Sequence, residues 1–181
     1  MTAIAIRRAR VGDARGVARV HVDSWRTTYA GIIPDRVIVG MSVDDKAASW
    51  RQIIAGQARR DAVMVASASG AGVVGYASVG PAQSLSGRFA GEVYTLYVLT
   101  DWQNRGIGRA LLKGSFAFLA GAGMRSALVW VLADNPARFF YQAVGGKRAS
   151  ERDEHLWGAT LHQIAYGWPD LDSWLAAEEA R

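Results

Sequence analysis

"VLTDWQNRGIGRALL" runs from Val98 to Leu112. It sets a Gln, two Arg and two Gly between an apolar, strand-like run and an amphipathic, helix-like one. Gly106 and Gly108 lack a Cβ, so they admit positive φ and let backbone N–H groups approach a ligand closely. The first turn of the following helix adds unpaired donors and partial positive charge. Arg105 and Arg109 add full charges. On these grounds the turn reads as a pyrophosphate cradle, although an ordinary strand–helix connection with two turn glycines would need no ligand. A Walker loop is excluded, because no Gly-Lys-Ser/Thr follows. A dinucleotide fingerprint is disfavoured, because Leu111 stands where a third small residue belongs and because five or six elements precede the turn.

Working outward, Glu92–Leu99 has the composition of a strong strand, and Gly80–Gly91 reads as a polar, flexible loop. Upstream, Asp61–Ser69 and Gly72–Gly80 form a hairpin around the turn at Gly70–Gly72. Ala3–Ala9 alternates as a first strand. Asp13 is placed to cap a helix carrying Val17, Val20 and Trp25 at near-helical spacing. A short helix with Pro34 early in it falls within Gly31–Gly40, and another helix follows Ser42 or Asp44. Downstream, a helix starts at Gly108 and stops in glycines by Gly123. Ser126–Asp134 is nearly all apolar, as a strand covered on both faces should be. Asn135 as N-cap, Pro136 at the first position and Gly145 as terminator bound a short helix. Two more strands are expected around Lys147–Ser150 and Thr160–Trp168, with "ERDEHLWG" (151–158) between them as a loop. The tail 170–181 reads as a short, mobile helix. No repeat or linker interrupts the chain. The expectation is one α/β domain over 1–181, with its core at 3–168 and a mixed sheet.

Composition narrows the function. The 181 residues include no Cys, which excludes disulfides, thiolate metal sites and a Cys nucleophile. His21, His155 and His162 show no ligand spacing, so no metal is expected. The formal net charge is +5, but apart from Arg7, Arg8 and Arg10 the basic residues are scattered. Such a field steers small anions better than it grips nucleic acid, so no nucleic-acid partner is expected. No apolar run is long enough to span a membrane, and the N-terminus lacks signal-peptide organisation. The expected location is the cytoplasm.

Gln103-Asn104-Arg105-Gly106-Ile107-Gly108 resembles the pyrophosphate signature of the GNAT superfamily of N-acetyltransferases, Gln/Arg-x-x-Gly-x-Gly/Ala. The preceding "LYV" resembles the end of that family's fourth strand. "DNPARFFYQAVGG" resembles its next motif, an Asn followed by a Phe-Tyr helix ending in Gly. The element order matches over roughly residues 3 to 168. The resemblance implies a central mixed, mostly antiparallel twisted sheet of about seven strands, flanked by helices and splayed in the middle. It also implies acetyl-CoA as acyl donor, with no metal. Leu96, Tyr97 and Val98 would offer backbone groups to the pantetheine arm and to the thioester carbonyl, where an N–H stabilises a developing oxyanion. Asn104 to Arg109 would hold the pyrophosphate, and Asn135 would contact the cofactor arm, though a helix cap alone explains that residue. Tyr141 resembles the family's general acid, a phenol placed to protonate the departing thiolate; packing on an amphipathic helix is the alternative.

Glu92 is the candidate base, at a position matching the base of the histone-acetylating branch. Its even separation from Val98 puts it on the face of Tyr94, Leu96 and Val98. Tyr94 and Asp134 are rivals, and Glu92 as a solvated strand end is the plain alternative. Trp25 and Tyr29, four apart on one helix face, form a wall for the amine acceptor or simply core, and the acids of "ERDEHLWG" could meet a cationic amine. The "GGKR" after the Tyr helix departs from the family's Gly-Phe: Gly146 stands where an aromatic would pack beneath the sheet. Without Cys, the amine is expected to attack the thioester directly in a ternary complex. A catalytically weak acyl-CoA-binding or regulatory member of the same fold is the alternative. The acceptor is a small-molecule or peptide amine, and a homodimer is compatible with the resemblance but not fixed by the sequence.

Overall fold

The computed structural model describes residues 3–85 and 87–181. Met1, Thr2 and Ser86, the last within the expected Gly80–Gly91 loop, lie outside the described residues. The strands are β1 (Ile4–Arg8), β2 (Ala62–Ala68), β3 (Gly72–Pro81), β4 (Gly91–Val98), β5 (Ala127–Leu132), β6 (Lys147–Leu156) and β7 (Ala159–Trp168). The helices are α1 (Ala14–Thr28), α2 (Asp35–Val39), α3 (Val43–Ala55), α4 (Ile107–Gly121), α5 (Ala137–Ala143) and α6 (Leu171–Glu179). The strands form one seven-stranded sheet in the order β1-β2-β3-β4-β5-β7-β6. Every neighbouring pair is antiparallel except β4 and β5. This is the expected mixed sheet flanked by helices. Among the described residues no helix is long and apolar enough to cross a membrane.

Two apolar layers cover the sheet. On one face Leu111, Leu112, Phe116 and Leu119 of α4 pack with Val93, Val129 and Trp168, and Tyr141 of α5 and the following Val144 join them. On the other, Val17 and Val20 of α1 and Trp50 and Ile54 of α3 close over Val63, Val65 and Tyr76. The near-continuous apolar composition of β2 and β5 follows from this double cover.

Four sequence expectations need correction. Asp13 does not cap α1 through its side chain. Its carboxylate turns back to accept the Arg10 N–H at 2.7 Å and both guanidinium nitrogens of Arg7, at 2.7 and 2.9 Å. A short 3-10 turn at Val11–Asp13 inserted before the helix makes this possible. The segment 151–158 is not a loop: β6 runs through it to Leu156 and pairs with β7, Asp153 opposite His162 and Arg152 opposite Gln163. An edge strand tolerates charge on both faces, which erased the alternation that marks a strand. The tail is a docked helix. Leu171 is fully buried, and the Trp174 indole N–H donates to the Val144 carbonyl at 2.7 Å. Glu178 meets Arg109 with two 2.5 Å contacts. The fourth correction concerns Glu92 and depends on a bulge described below.

Gly146 is explained by its surroundings. A Cβ there would lie 2.8 Å from both the Trp168 ring and the Tyr141 carbonyl. The aromatic expected after the Tyr helix is thus supplied from β7 by Trp168. Gly146→Ala should lower stability by about 1–3 kcal/mol. Gly121→Ala, at a helix end with open space around it, should be neutral or stabilising by about 0.5–1 kcal/mol. Urea denaturation of the two variants measures the contrast, and equal midpoints would contradict the packing described.

Candidate active site

The β3–β4 register steps by one residue. Ser78 pairs with Thr95, yet Val79 pairs with Val93, leaving Tyr94 as an extra residue in β4. Such a bulge bends its strand and inverts the facing of everything beyond it. Val93 packs with Leu96 and Val98 on the α4 side, while Tyr97 packs on the α1 side. Glu92 therefore shares its face with Thr95 and Tyr97, not with Leu96 and Val98. Simple parity counting, which cannot see a bulge, put it on the wrong side. The parallel pairing of β4 with β5 covers Gly91, Glu92 and Val93 alone. From Tyr94 onward the two strands diverge, and a cleft of about 990 Å³ opens between them.

The glycine turn lies at one end of this cleft. Asn104 has φ 58° and Gly106 φ 77°, both left-handed. Among the described residues, no amide N–H from Asn104 through Arg109 has an intramolecular acceptor; Ala110 is the first, bonded to Gly106 O at 3.0 Å. Six successive donors at a helix start make an anion-binding concavity. The Gln103 side chain donates to the Val98 carbonyl at 3.1 Å and so ties the turn to β4. Gly108 faces Phe140, where a Cβ would already be in contact at 3.4 Å. The two cations behave differently. Arg105 stacks on Trp102, 5.0 Å from its ring centre, and is exposed. Arg109 lines the cleft, but its guanidinium is paired with Glu178.

At mid-cleft, Asn135 and Tyr141 come from the β5–α5 junction. Asn135 is 5% exposed. Its Oδ1 accepts the Ala137 N–H at 2.9 Å, so it caps α5 as expected, and its side chain also bears on the Tyr29 hydroxyl. Tyr141 packs against Phe140, Tyr166 and Trp168. Burial pushes its phenol well above the ordinary range, with the neighbouring Tyr29 adding to the effect, so it keeps its proton at neutral pH. Tyr29 and Tyr97 share a hydroxyl–hydroxyl hydrogen bond of 3.0 Å. Trp25 and Tyr29 are edge to face, 4.9 Å between ring centres.

The far end holds Glu92, 7% exposed. Its carboxylate accepts the Gln83 N–H at 2.8 Å. Burial raises its pKa, partly offset by backbone donors of Gln83 and Ser84 and by the charge of Arg152. Of the rivals, Tyr94 also lines the cleft but donates to the Pro81 carbonyl at 2.6 Å, while Asp134 is not among the lining residues. The cleft thus gathers the predicted cofactor-binding residues except Arg105, together with Glu92, Tyr141, Trp25 and Tyr29. The acids expected from "ERDEHLWG" do not line it. That segment instead contributes Arg152, Leu156 and Trp157; strand alternation turns Glu151 and Asp153 to the opposite face, where both meet His162, and Glu154 sits beside Arg152. Sequence reasoning missed Ser24, Trp130, Arg152 and Trp157. Recognising β6 as a strand is the signal that would have found the last two.

Comparison with known proteins agrees with this geometry. The chain matches the profile of the Acetyltransferase (GNAT) family over residues 23–145. It is 36% identical over 170 residues, 94% of this chain and 95% of the relative, to the uncharacterized N-acetyltransferase YuaI of Bacillus subtilis (strain 168). Among solved structures it is similar to the PaiA N-acetyltransferase of Thermoplasma acidophilum in complex with coenzyme A, with TM-score 0.66 and 20% identity, covering 90% of this chain and 98% of that one. It is also similar to YncA, a putative acetyltransferase of Salmonella typhimurium with its cofactor acetyl-CoA, with TM-score 0.67 and 24% identity, covering 94% of this chain and 95% of that one.

The pKa direction of Glu92 has a measurable consequence. In the unfolded chain a Glu loses its proton near pH 4.3, whereas the folded protein holds it longer. Over that interval the unfolded state binds fewer protons, so this group makes stability fall as pH rises. Glu92→Gln lacks this titration. As pH rises above about 4, the urea midpoint of the variant should therefore improve relative to wild type. Parallel midpoint profiles would contradict the burial-driven shift.

Proposed function

The chain belongs to the acetyltransferase (GNAT) family, and from that premise we propose that it transfers an acetyl group from acetyl-CoA to a primary amine by direct attack in a ternary complex. The observation that carries this reading is the continuity of one cleft. It runs from six unpaired amide donors, along the free edge of β4, to a buried carboxylate.

Each part has a task that its chemistry suits. The amides of Asn104–Arg109 hold the pyrophosphate of the donor through fixed dipoles that need no reorganisation. Beyond Val93 the edge of β4 that faces β5 has no ladder partner, so Leu96, Tyr97 and Val98 are positioned to bind the pantetheine arm and to polarise the thioester carbonyl. Asn135 lines mid-cleft with its Oδ1 capping Ala137 and its side chain beside the Tyr29 hydroxyl, and from there it is placed to contact the arm. Trp25 and Tyr29 form an aromatic wall on the acceptor side.

Glu92 takes the proton that the amine must lose. An ammonium has no lone pair, so attack waits on this loss. A raised pKa brings the carboxylate nearer to working pH as a base. The C–N bond then forms as the C–S bond breaks, and the Tyr141 hydroxyl donates to the departing sulfur. Holding its proton at neutral pH, Tyr141 is always in the form that can give one. No enzyme nucleophile is needed, and the chain has no Cys to provide one.

Acetylation of an amine panel, followed by thiol release, tests the activity. Tyr141→Phe tests the mechanism. The ring sits in an aromatic cluster that Phe preserves, so coenzyme A affinity should hold while kcat falls by about 10²–10⁴. A variant with wild-type kcat, measured where chemistry limits the rate, would remove Tyr141 from the mechanism.

A further inference from the structure

Charge is scarce in the cleft. Among its described lining residues only Glu92, Arg109 and Arg152 carry any. Arg109 lies at the cradle end and is matched by Glu178. The acceptor half is left with one carboxylate and one guanidinium, near enough that the Arg152 charge bears on Glu92.

Arg152 is held for use. Its guanidinium lies over the Trp130 ring, 4.1 Å from the ring centre. Trp130 is itself fixed by an indole N–H bond to the Ser84 hydroxyl at 2.7 Å. Arg152 Nε donates to the Gln163 side chain at 2.8 Å. Stacking and the Nε bond fix the plane of the group, and among the described residues Nη1 has no partner. The Glu154 contact, at 3.5 Å between half-exposed groups, is long and open to solvent, so it competes weakly. With Nη1 unpartnered and Nη2 held only by the long Glu154 contact, the planar guanidinium can turn its Nη1–Nη2 edge to a carboxylate.

The rest of the acceptor half is aromatic with a few unmet polar atoms. Trp157, at the β6–β7 turn, meets Trp25 edge to face with 6.0 Å between ring centres, and the Trp157 carbonyl accepts from Arg36. Ser24, 5% exposed, lines the cleft with its hydroxyl unpartnered, and so does Trp25 with its indole N–H. Buried donors without acceptors are costly unless a bound molecule or water supplies them.

We propose that the acceptor is a small amine that also bears a carboxylate, an amino acid by class, bound with its nitrogen toward Glu92 and its carboxylate on Arg152. This rests on the acetyltransferase reading and narrows it. A polycation would meet one acid and one cation with no net attraction. A peptide N-terminus has no carboxylate near its amine and would leave the guanidinium unanswered. A zwitterion satisfies both charges.

The test compares free amino acids with their carboxamides, using wild type and Arg152→Gln. Within each acceptor the amine is unchanged between enzymes, so differences in amine basicity cancel. Losing a charge-assisted pair should raise KM for free amino acids about 10- to 100-fold and leave carboxamide KM unchanged. A second measurement needs no turnover: calorimetric binding of N-acetyl amino acids to the coenzyme A complex should weaken by a similar factor in Arg152→Gln. Turnover of amino acids and carboxamides alike, with Arg152→Gln neutral for both, would overturn the carboxylate site and leave the acetyltransferase reading standing. No turnover of any acceptor, with N-acetyl amino acid binding still dependent on Arg152, would support the carboxylate site and overturn that reading instead.

Discussion

Strand β4 is hydrogen-bonded along both edges only as far as Val93. There a single extra residue, Tyr94, turns the strand, and from that point β3 alone holds it. Most of the site depends on this constraint. The bulge puts Glu92 on the same face as Tyr97. The divergence from β5 opens the cleft and leaves an edge of β4 backbone without a strand partner among the described residues. Unpaired backbone groups in such a place are costly unless a ligand or solvent answers them. The same divergence delivers α4 to the cleft by its N-terminus, where six amides lack acceptors among the described residues. Cradle, free strand edge and buried carboxylate are consequences of one departure from regular pairing.

The cleft handles charge economically. The glycine turn presents mainly backbone dipoles to the cleft, since Arg109 is already paired with Glu178 and Arg105 lies on Trp102. The C-terminal helix is thereby joined to the cradle by an ion pair, and Trp174 secures it beside the turn that ends α5. At the other end of the cleft stand two opposite charges, the buried Glu92 and the exposed Arg152 stacked on Trp130.

The parts most legible in the sequence were those set by local chemistry. Gly106 and Gly108 announced a donor-rich turn at a helix start, placed within a residue of its observed start at Ile107, because left-handed φ and a missing Cβ are properties of single residues. Asn135 before Pro136 announced a cap for the same reason. The double-covered strand β5 was visible as an apolar run, and β2 as one arm of a hairpin. What escaped was set by pairing across distance. No residue of β4 signals that Tyr94 has no partner in β3, so alternation was counted straight through it and Glu92 was assigned to the wrong face. The run of charges Glu151–His155 concealed an edge strand, and with it the cleft residues Arg152 and Trp157. Asp13 had the right identity for a cap, but its carboxylate serves Arg7 and the Arg10 amide across a turn that local propensity did not reveal.

The central claim is that the amides of the glycine turn and the free edge of β4 receive coenzyme A. Titration of the isotope-labelled protein with coenzyme A, read by backbone amide NMR, tests it residue by residue. The amides of Asn104 to Arg109 should shift most, with those of Leu96 to Val98 following along the same saturation curve. Saturable binding that leaves the Asn104–Arg109 amides unmoved, with the largest shifts elsewhere on the sheet, would contradict the account.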